Sequence, residues 1–133
     1  MSVPNPNLNN VEEVLDLIDM VGEGIPVHML EDFMKTERLT QTEITALGIA
    51  YRTFMRRKKQ ERLKSDESDK VIRLFRMIQF ANTVFGDRDK AHTWLRRPNK
   101  ALKNKVPLAL LKTEPGARLV ETMLGRIEQG IYS

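Results

Sequence analysis

The chain has 133 residues, 41% apolar and 30% charged, enough for one domain or two very small ones that pack together. It has no cysteine, and its two histidines, His28 and His92, lack metal-ligand spacing. Disulfides, thiolate catalysis and cysteine-based zinc sites are therefore excluded, and no metal or cofactor is expected. The net charge of +4 averages unlike segments. Residues 1–48 carry nine acidic and two basic side chains (−7), residues 49–64 one acidic and seven basic (+6), and residues 65–133 eight acidic and thirteen basic (+5).

In chain order, residues 1–9 are rich in Asn and Pro and are expected to be disordered. Asn10 can cap a first helix, with Glu12 and Glu13 where the helix dipole favours acids. Val11, Val14, Leu15, Ile18 and Val21 recur at helical spacing as its expected apolar stripe, and Gly22 or Gly24 ends it. Pro26 opens a second helix with Val27, Leu30, Phe33 and Met34 on one side. Thr40-Gln41-Thr42-Glu43 reads as a capping box for a short helix, Gln41 to Leu47, broken by Gly48. A basic helix starts near Ala50 or Tyr51 and runs through Lys59. Two short helices joined at a glycine, the second basic, read as a helix-turn-helix.

Residues 60–69 have no apolar stripe apart from Leu63 and mark the domain boundary, giving domains of residues 1–64 and 65–133. Ser65 or Asp66 can cap a long helix carrying Val71, Leu74, Phe75, Ile78, Ala81, Val84 and Phe85, closed by Gly86. Asp87 caps the next, Arg88 to Leu95, which Pro98 terminates. Pro107 opens a short helix through Leu111, and Thr113 caps the last, with Ala117, Val120, Met123, Leu124 and Ile127 on its buried side and Gly130 at its end. Six of the methionines (20, 29, 34, 55, 77 and 123) read as core filler. No alternating strand pattern or internal repeat is present, so the fold class is all-α.

A recognition helix packs one face on the preceding helix and offers donors to phosphates and base edges with the other. Ile49, Phe54 and Met55 can supply the packing, while Tyr51, Arg52, Thr53, Arg56 and Arg57 can face outward with Lys58, joined by Thr42 of the preceding helix. Lys58, Lys59, Arg62 and Lys64 suit backbone phosphates, contacts whose value falls steeply with salt. A solvated basic helix is the alternative. No nucleophile–base pair, metal cluster or phosphate loop can be assembled, so no enzyme is expected. Nor does any apolar run approach the roughly 18 residues a membrane span needs, and the start has no signal-peptide pattern, so a cytoplasmic protein is expected.

Residues 94–130, WLRRPNKALKNKVPLALLKTEPGARLVETMLGRIEQG, carry a more specific order of turns and helix starts. Trp94-Leu95, Pro98-Asn99, Ala101-Leu102, Pro107-Leu108, Leu110-Leu111, Thr113 with Gly116, Val120 and Leu124-Gly125-Arg126-Ile127 before Gly130 resemble the C-terminal toxin-binding domain of the Xre/MbcA/ParS antitoxin family. GIAYRTFMRR resembles that family's GIS-x-RTL-x-RR stretch, and LKSDESDKVIRLFRMIQFANTVFGD its linking region. Two departures are Ile44, where such motifs often have alanine, and Asn104, where the family usually has glycine.

The resemblance implies a type II antitoxin with an Xre-like helix-turn-helix domain and a C-terminal domain that binds a RES-domain toxin, an NAD-destroying enzyme, and obstructs its active site. It also implies repression of its own operon by binding operator DNA, with a homodimer expected from the two-fold symmetry of helix-turn-helix sites. Candidate toxin-binding residues are Trp94, Asn99, Arg126, Gln129, Ile131, Tyr132 and Ser133. Trp94 can alternatively pack between the helices of its own domain, and the tail can be a frayed terminus. A stand-alone repressor that dimerises through its C-terminal domain is the competing reading.

Overall fold

The structure, a computed structural model, describes residues 10–130. Seven α-helices occupy these residues: α1 (Val11–Glu23), α2 (Val27–Thr36), α3 (Gln41–Leu47), α4 (Tyr51–Gln60), α5 (Ser65–Phe85), α6 (Arg88–Arg96) and α7 (Glu114–Glu128). Two 3-10 helices, Lys100–Leu102 and Pro107–Lys112, lie between α6 and α7. Among the described residues the only β pairing is two isolated antiparallel bridges, Pro26 with Arg62 and Asn99 with Lys105, and the fold is all-α. The expected disorder of residues 1–9 and the tail Ile131, Tyr132 and Ser133 lie outside the described residues. The chain divides into two compact units, one ending at Ile72 and one beginning at Arg73, so α5 starts in the first and finishes in the second.

In the first unit, the Asn10 side chain accepts hydrogen bonds from the backbone N–H groups of Glu12 and Glu13 and starts α1. The expected apolar stripe of this helix does not face the core: Val11, Leu15 and Ile18 are exposed. Leu17 is buried instead, flanked by half-buried Val14, Met20 and Val21. Both sets fit a 3.6-residue period, so sequence alone could not choose between them. Helix α2 begins after Pro26 and buries Val27, Met29, Leu30 and Phe33, with Met34 half-buried.

Thr40 and Glu43 form the reciprocal capping box of α3. The Glu43 N–H donates to the Thr40 hydroxyl at 3.1 Å, and the Thr40 N–H donates to the Glu43 carboxylate at 3.0 Å. Gly48 ends α3 at φ 115°, a backbone state that a side chain disfavours, and lets α4 start three residues later. Ile44, Leu47, Ile49 and Phe54 fill the space where α3 meets α4. Met55, expected to pack there, is exposed. A basic α4 thus sits on an apolar base that excludes its own methionine.

In the second unit, Gly86 and the Asp87 cap turn the chain from α5 into α6, and the rings of Phe85 and Trp94 meet at 5.8 Å between centroids. The short 3-10 turn at Lys100–Leu102 was not foreseen. Asn99 closes it: its side chain accepts from the Ala101 N–H, its backbone N–H donates to Lys105, and its carbonyl accepts from Asn104. Lys103 and Asn104 both take positive φ, 55° and 66°, so the asparagine does serve the left-handed position expected of it.

The segment behind Pro107 is a 3-10 rather than an α-helix, and both α6 and α7 pack on it with Leu111 fully buried. Arg73 donates to the Leu111 and Lys112 carbonyls at its end. Thr113 caps α7 by accepting from the Gly116 N–H at 3.2 Å. A Cβ on Gly116 would collide with the Leu110 carbonyl, so the glycine in this cap is required by close backbone approach. Ala117, Val120, Met123 and Leu124 form the buried face of α7.

Candidate functional site

Two surfaces carry the candidate residues, one in each unit. On α4, Tyr51, Arg52, Arg56, Lys58 and Lys59 are exposed, Thr53 is half-buried, and Thr42 of α3 is exposed. Lys58 approaches the Glu31 carboxylate at 3.3 Å, a half-exposed pair of small energetic weight. Three of the bases, Arg57, Lys58 and Lys59, fall in the last turn of α4, where the helix dipole favours positive charge. The exposed face therefore offers two arginines, two lysines, a phenol and hydroxyls, a set suited to phosphates and base edges.

Arg57 does not belong to that face. It is buried, and its guanidinium makes a two-pronged contact with Glu67: Nε to Oε1 at 2.7 Å and NH2 to Oε2 at 2.9 Å. Its NH1 also donates to the Gln60 side chain. The sequence shows an unbroken basic run, but helix geometry turns one position in it towards the core, next to Phe54 one turn earlier. Only a paired arginine is tolerated there.

Glu67 was overlooked and organises this corner. Its Oε1 also accepts the Lys64 backbone N–H at 2.8 Å, so the carboxylate itself caps α5, which starts at Ser65 rather than after a Ser65 or Asp66 cap. Burial pushes the Glu67 carboxyl up, but the hydrogen bonds from Arg57 and Lys64 and the charge of Arg57 outweigh it, leaving it below its ordinary value. The hydrogen bond to Glu67 raises Arg57 against the opposing effect of burial. Next to it, fully buried Ser68 accepts the Ile25 N–H at 2.9 Å, and Arg62 donates to the Gly24 carbonyl at 2.6 Å. The available signal was a glutamate three residues after Lys64, the residue that precedes the helix, which is the capping spacing.

In the second unit, Trp94 is 8% exposed and packs on Phe85, yet its edge lines a surface groove of about 380 Å³ with Asp89, Lys90, Thr93 and Arg97. Asn99 is half-buried and shapes its own turn, while Arg126 and Gln129 are exposed at the end of α7. Leu119, which the sequence reading passed over, is 46% exposed. At 3.6 residues per turn it shares one outer face of α7 with exposed Thr122 and Arg126. Among the described residues no cluster of potential metal ligands forms, and no helix is long and apolar enough to cross a membrane.

The fold defines a class of small all-helical proteins, and comparison with known sequences gives the family. Residues 80–130 match the family described as the antitoxin Xre/MbcA/ParS C-terminal toxin-binding domain. The chain is 34% identical over 120 residues to the antitoxin Xre of Yersinia enterocolitica, covering 88% of this chain and 81% of that protein. It is 34% identical over 117 residues to the antitoxin Xre of Photorhabdus laumondii, covering 86% and 79%. With the antitoxin Xre of Pseudomonas putida it shares 35% identity over 129 residues, covering 90% and 81%. The chain belongs to the Xre antitoxin family, a family of non-enzymatic antitoxins.

Proposed function

We propose that this antitoxin forms a type II pair with a RES-domain toxin in the cytoplasm, binding it through the C-terminal unit and obstructing its NAD-degrading active site. The observation that carries this reading is the exposed Leu119–Thr122–Arg126 face of α7 within residues matched to a toxin-binding domain. Leu119 supplies apolar area to the interface, and Arg126 supplies charge-assisted hydrogen bonds to acidic or polar groups of the toxin. Gln129, Ile131, Tyr132 and Ser133 extend the interface, and Trp94 and Asn99 add the groove rim and the turn of the same unit. In an assay of NAD consumption by the co-expressed toxin, Leu119→Asp with Arg126→Ala should release the toxin. Full inhibition by that variant, or by a chain lacking residues 128–133, would remove the α7 face or the tail from the interface respectively.

The second part of the reading is repression. Helices α3 and α4 act as a helix-turn-helix on a two-fold operator site, with a homodimer as the binding species. Tyr51, Arg52, Thr53, Arg56 and Lys58 meet the DNA with Thr42, and Arg57 is withdrawn from the contact set. Replacing Arg52 and Arg56 with alanine should weaken operator binding about tenfold or more while toxin inhibition is unchanged. Equal loss of both activities would contradict this division of labour. The exposed basic α4 also favours the stand-alone repressor reading, which would gain if the protein isolated from its host brought DNA and no toxin.

A further inference from the structure

Neither proposed role uses the outer face of α1. Val11, Leu15 and Ile18 are 74%, 54% and 58% exposed, although they lie on a well-capped helix. At 3.6 residues per turn they form one stripe, and Glu12, Asp16, Asp19 and Glu23 run along one flank of it. Helix α1 carries no basic residue. An apolar stripe left in water beside a wall of acid marks an interaction surface.

Helix α4 presents the complementary arrangement. Tyr51 and Met55, one turn apart, are 56% and 39% exposed, and Arg52, Arg56 and Lys59 run along the same rotational flank of their stripe as the acids do on α1. Reversing one of two packed helices brings the same rotational flank of each to the same side. An antiparallel α1–α4 pair from two molecules therefore sets acids against bases on the flank and Leu15 and Ile18 against Met55 and Tyr51 on the seam, with the aliphatic stem of Lys58, which continues the α4 stripe, beneath Val11. Two copies of α1 fit poorly. Packed antiparallel they place acid on acid, and packed parallel they leave the acids without a counter-charge.

We infer that α1 of one copy docks antiparallel on α4 of a second copy, with Ile18 over Tyr51, Leu15 over Met55 and Val11 over the stem of Lys58. Each copy carries both faces, so the contact is available in both directions. Its consequence rests on the repressor reading: α4 covered by α1 is withheld from DNA, so this contact, unlike the homodimer that reads the operator, competes with operator binding.

The test exploits the absence of cysteine, which makes any engineered disulfide between single-thiol chains intermolecular. Leu15→Cys and Met55→Cys chains, mixed at micromolar concentration under mild oxidation, should give the mixed dimer at about tenfold the yield of either chain alone, because docking raises the effective concentration of the paired thiols. Adding Asp16→Lys and Asp19→Lys to the first chain should return the yield to the random level. Adding Arg52→Glu and Arg56→Glu to the second should then restore it. A mixed yield no greater than random, or one indifferent to the charge reversals, would overturn the docking. Loss of DNA binding alone would retire the repressor reading and leave the crosslinking result standing.

Discussion

The two units are held by different physics. The first ties its turns with buried polar contacts: the Arg57–Glu67 pair, the Ser68 hydroxyl on Ile25 and the Arg62 guanidinium on Gly24. The second relies on apolar packing around the 3-10 helix at Pro107–Lys112, with Leu95, Leu111, Val120 and Leu124 almost fully buried. A buried ion pair resists loss of one partner poorly, because the remaining charge is left in a site that cannot solvate it. An apolar core degrades according to the volume removed. The unit that presents a charged helix has used one of that helix's own charges to hold it, and the second unit closes its turns with caps but fills its centre with apolar side chains.

The only tryptophan, Trp94, lies in the second unit, so its fluorescence reports that unit while far-UV circular dichroism reports both. The largest effect is expected from Glu67→Ala. It strands Arg57 and should cost the first unit about 3–5 kcal/mol. In urea the dichroism midpoint should fall well ahead of the fluorescence midpoint; coincident shifts would mean that α5 transmits the loss to both units. Leu111→Ala should reverse the pattern, costing about 2–5 kcal/mol and moving the fluorescence transition further. An unchanged fluorescence midpoint would contradict the central place given to the 3-10 helix.

The smallest effect is a pH dependence. A carboxyl whose folded pKa is lowered contributes stability that is fully present above its unfolded value and is lost as pH falls through the folded one. The Glu67 contribution should therefore hold above about pH 4.5, the ordinary value, and disappear in more acid solution. Glu67→Gln should show a shallower acid loss of the dichroism midpoint than the parent. Parallel profiles would place the acid sensitivity in other carboxylates.

Much of the helical framework was legible because its signals are local. Asn10, Thr40, Asp87 and Thr113 all cap the helices they were expected to cap, each by accepting backbone N–H groups within three residues. Gly48 and Gly86 end helices at positive φ as read. The candidate site was legible only as a composition. The basic run of α4 was visible, but not that Arg57 turns inward, since its partner lies ten residues away across a loop. Leu119 was missed for the same reason: an exposed leucine looks like a core leucine until the neighbouring helices are in place.

By itself, then, the chain determined most helix starts and ends and the family order of the last third, because caps and left-handed turns are satisfied by near neighbours; the 3-10 turn at Lys100–Leu102 and the Glu67 cap of α5 emerged only with the structure. Tertiary packing decided which face of each helix meets the core. It buried Leu17 and left Val11, Leu15 and Ile18 outside, and it took Arg57 out of the basic face to pair with Glu67. A 3.6-residue period permits more than one apolar face on a short helix, and only the shape of what packs against it selects one.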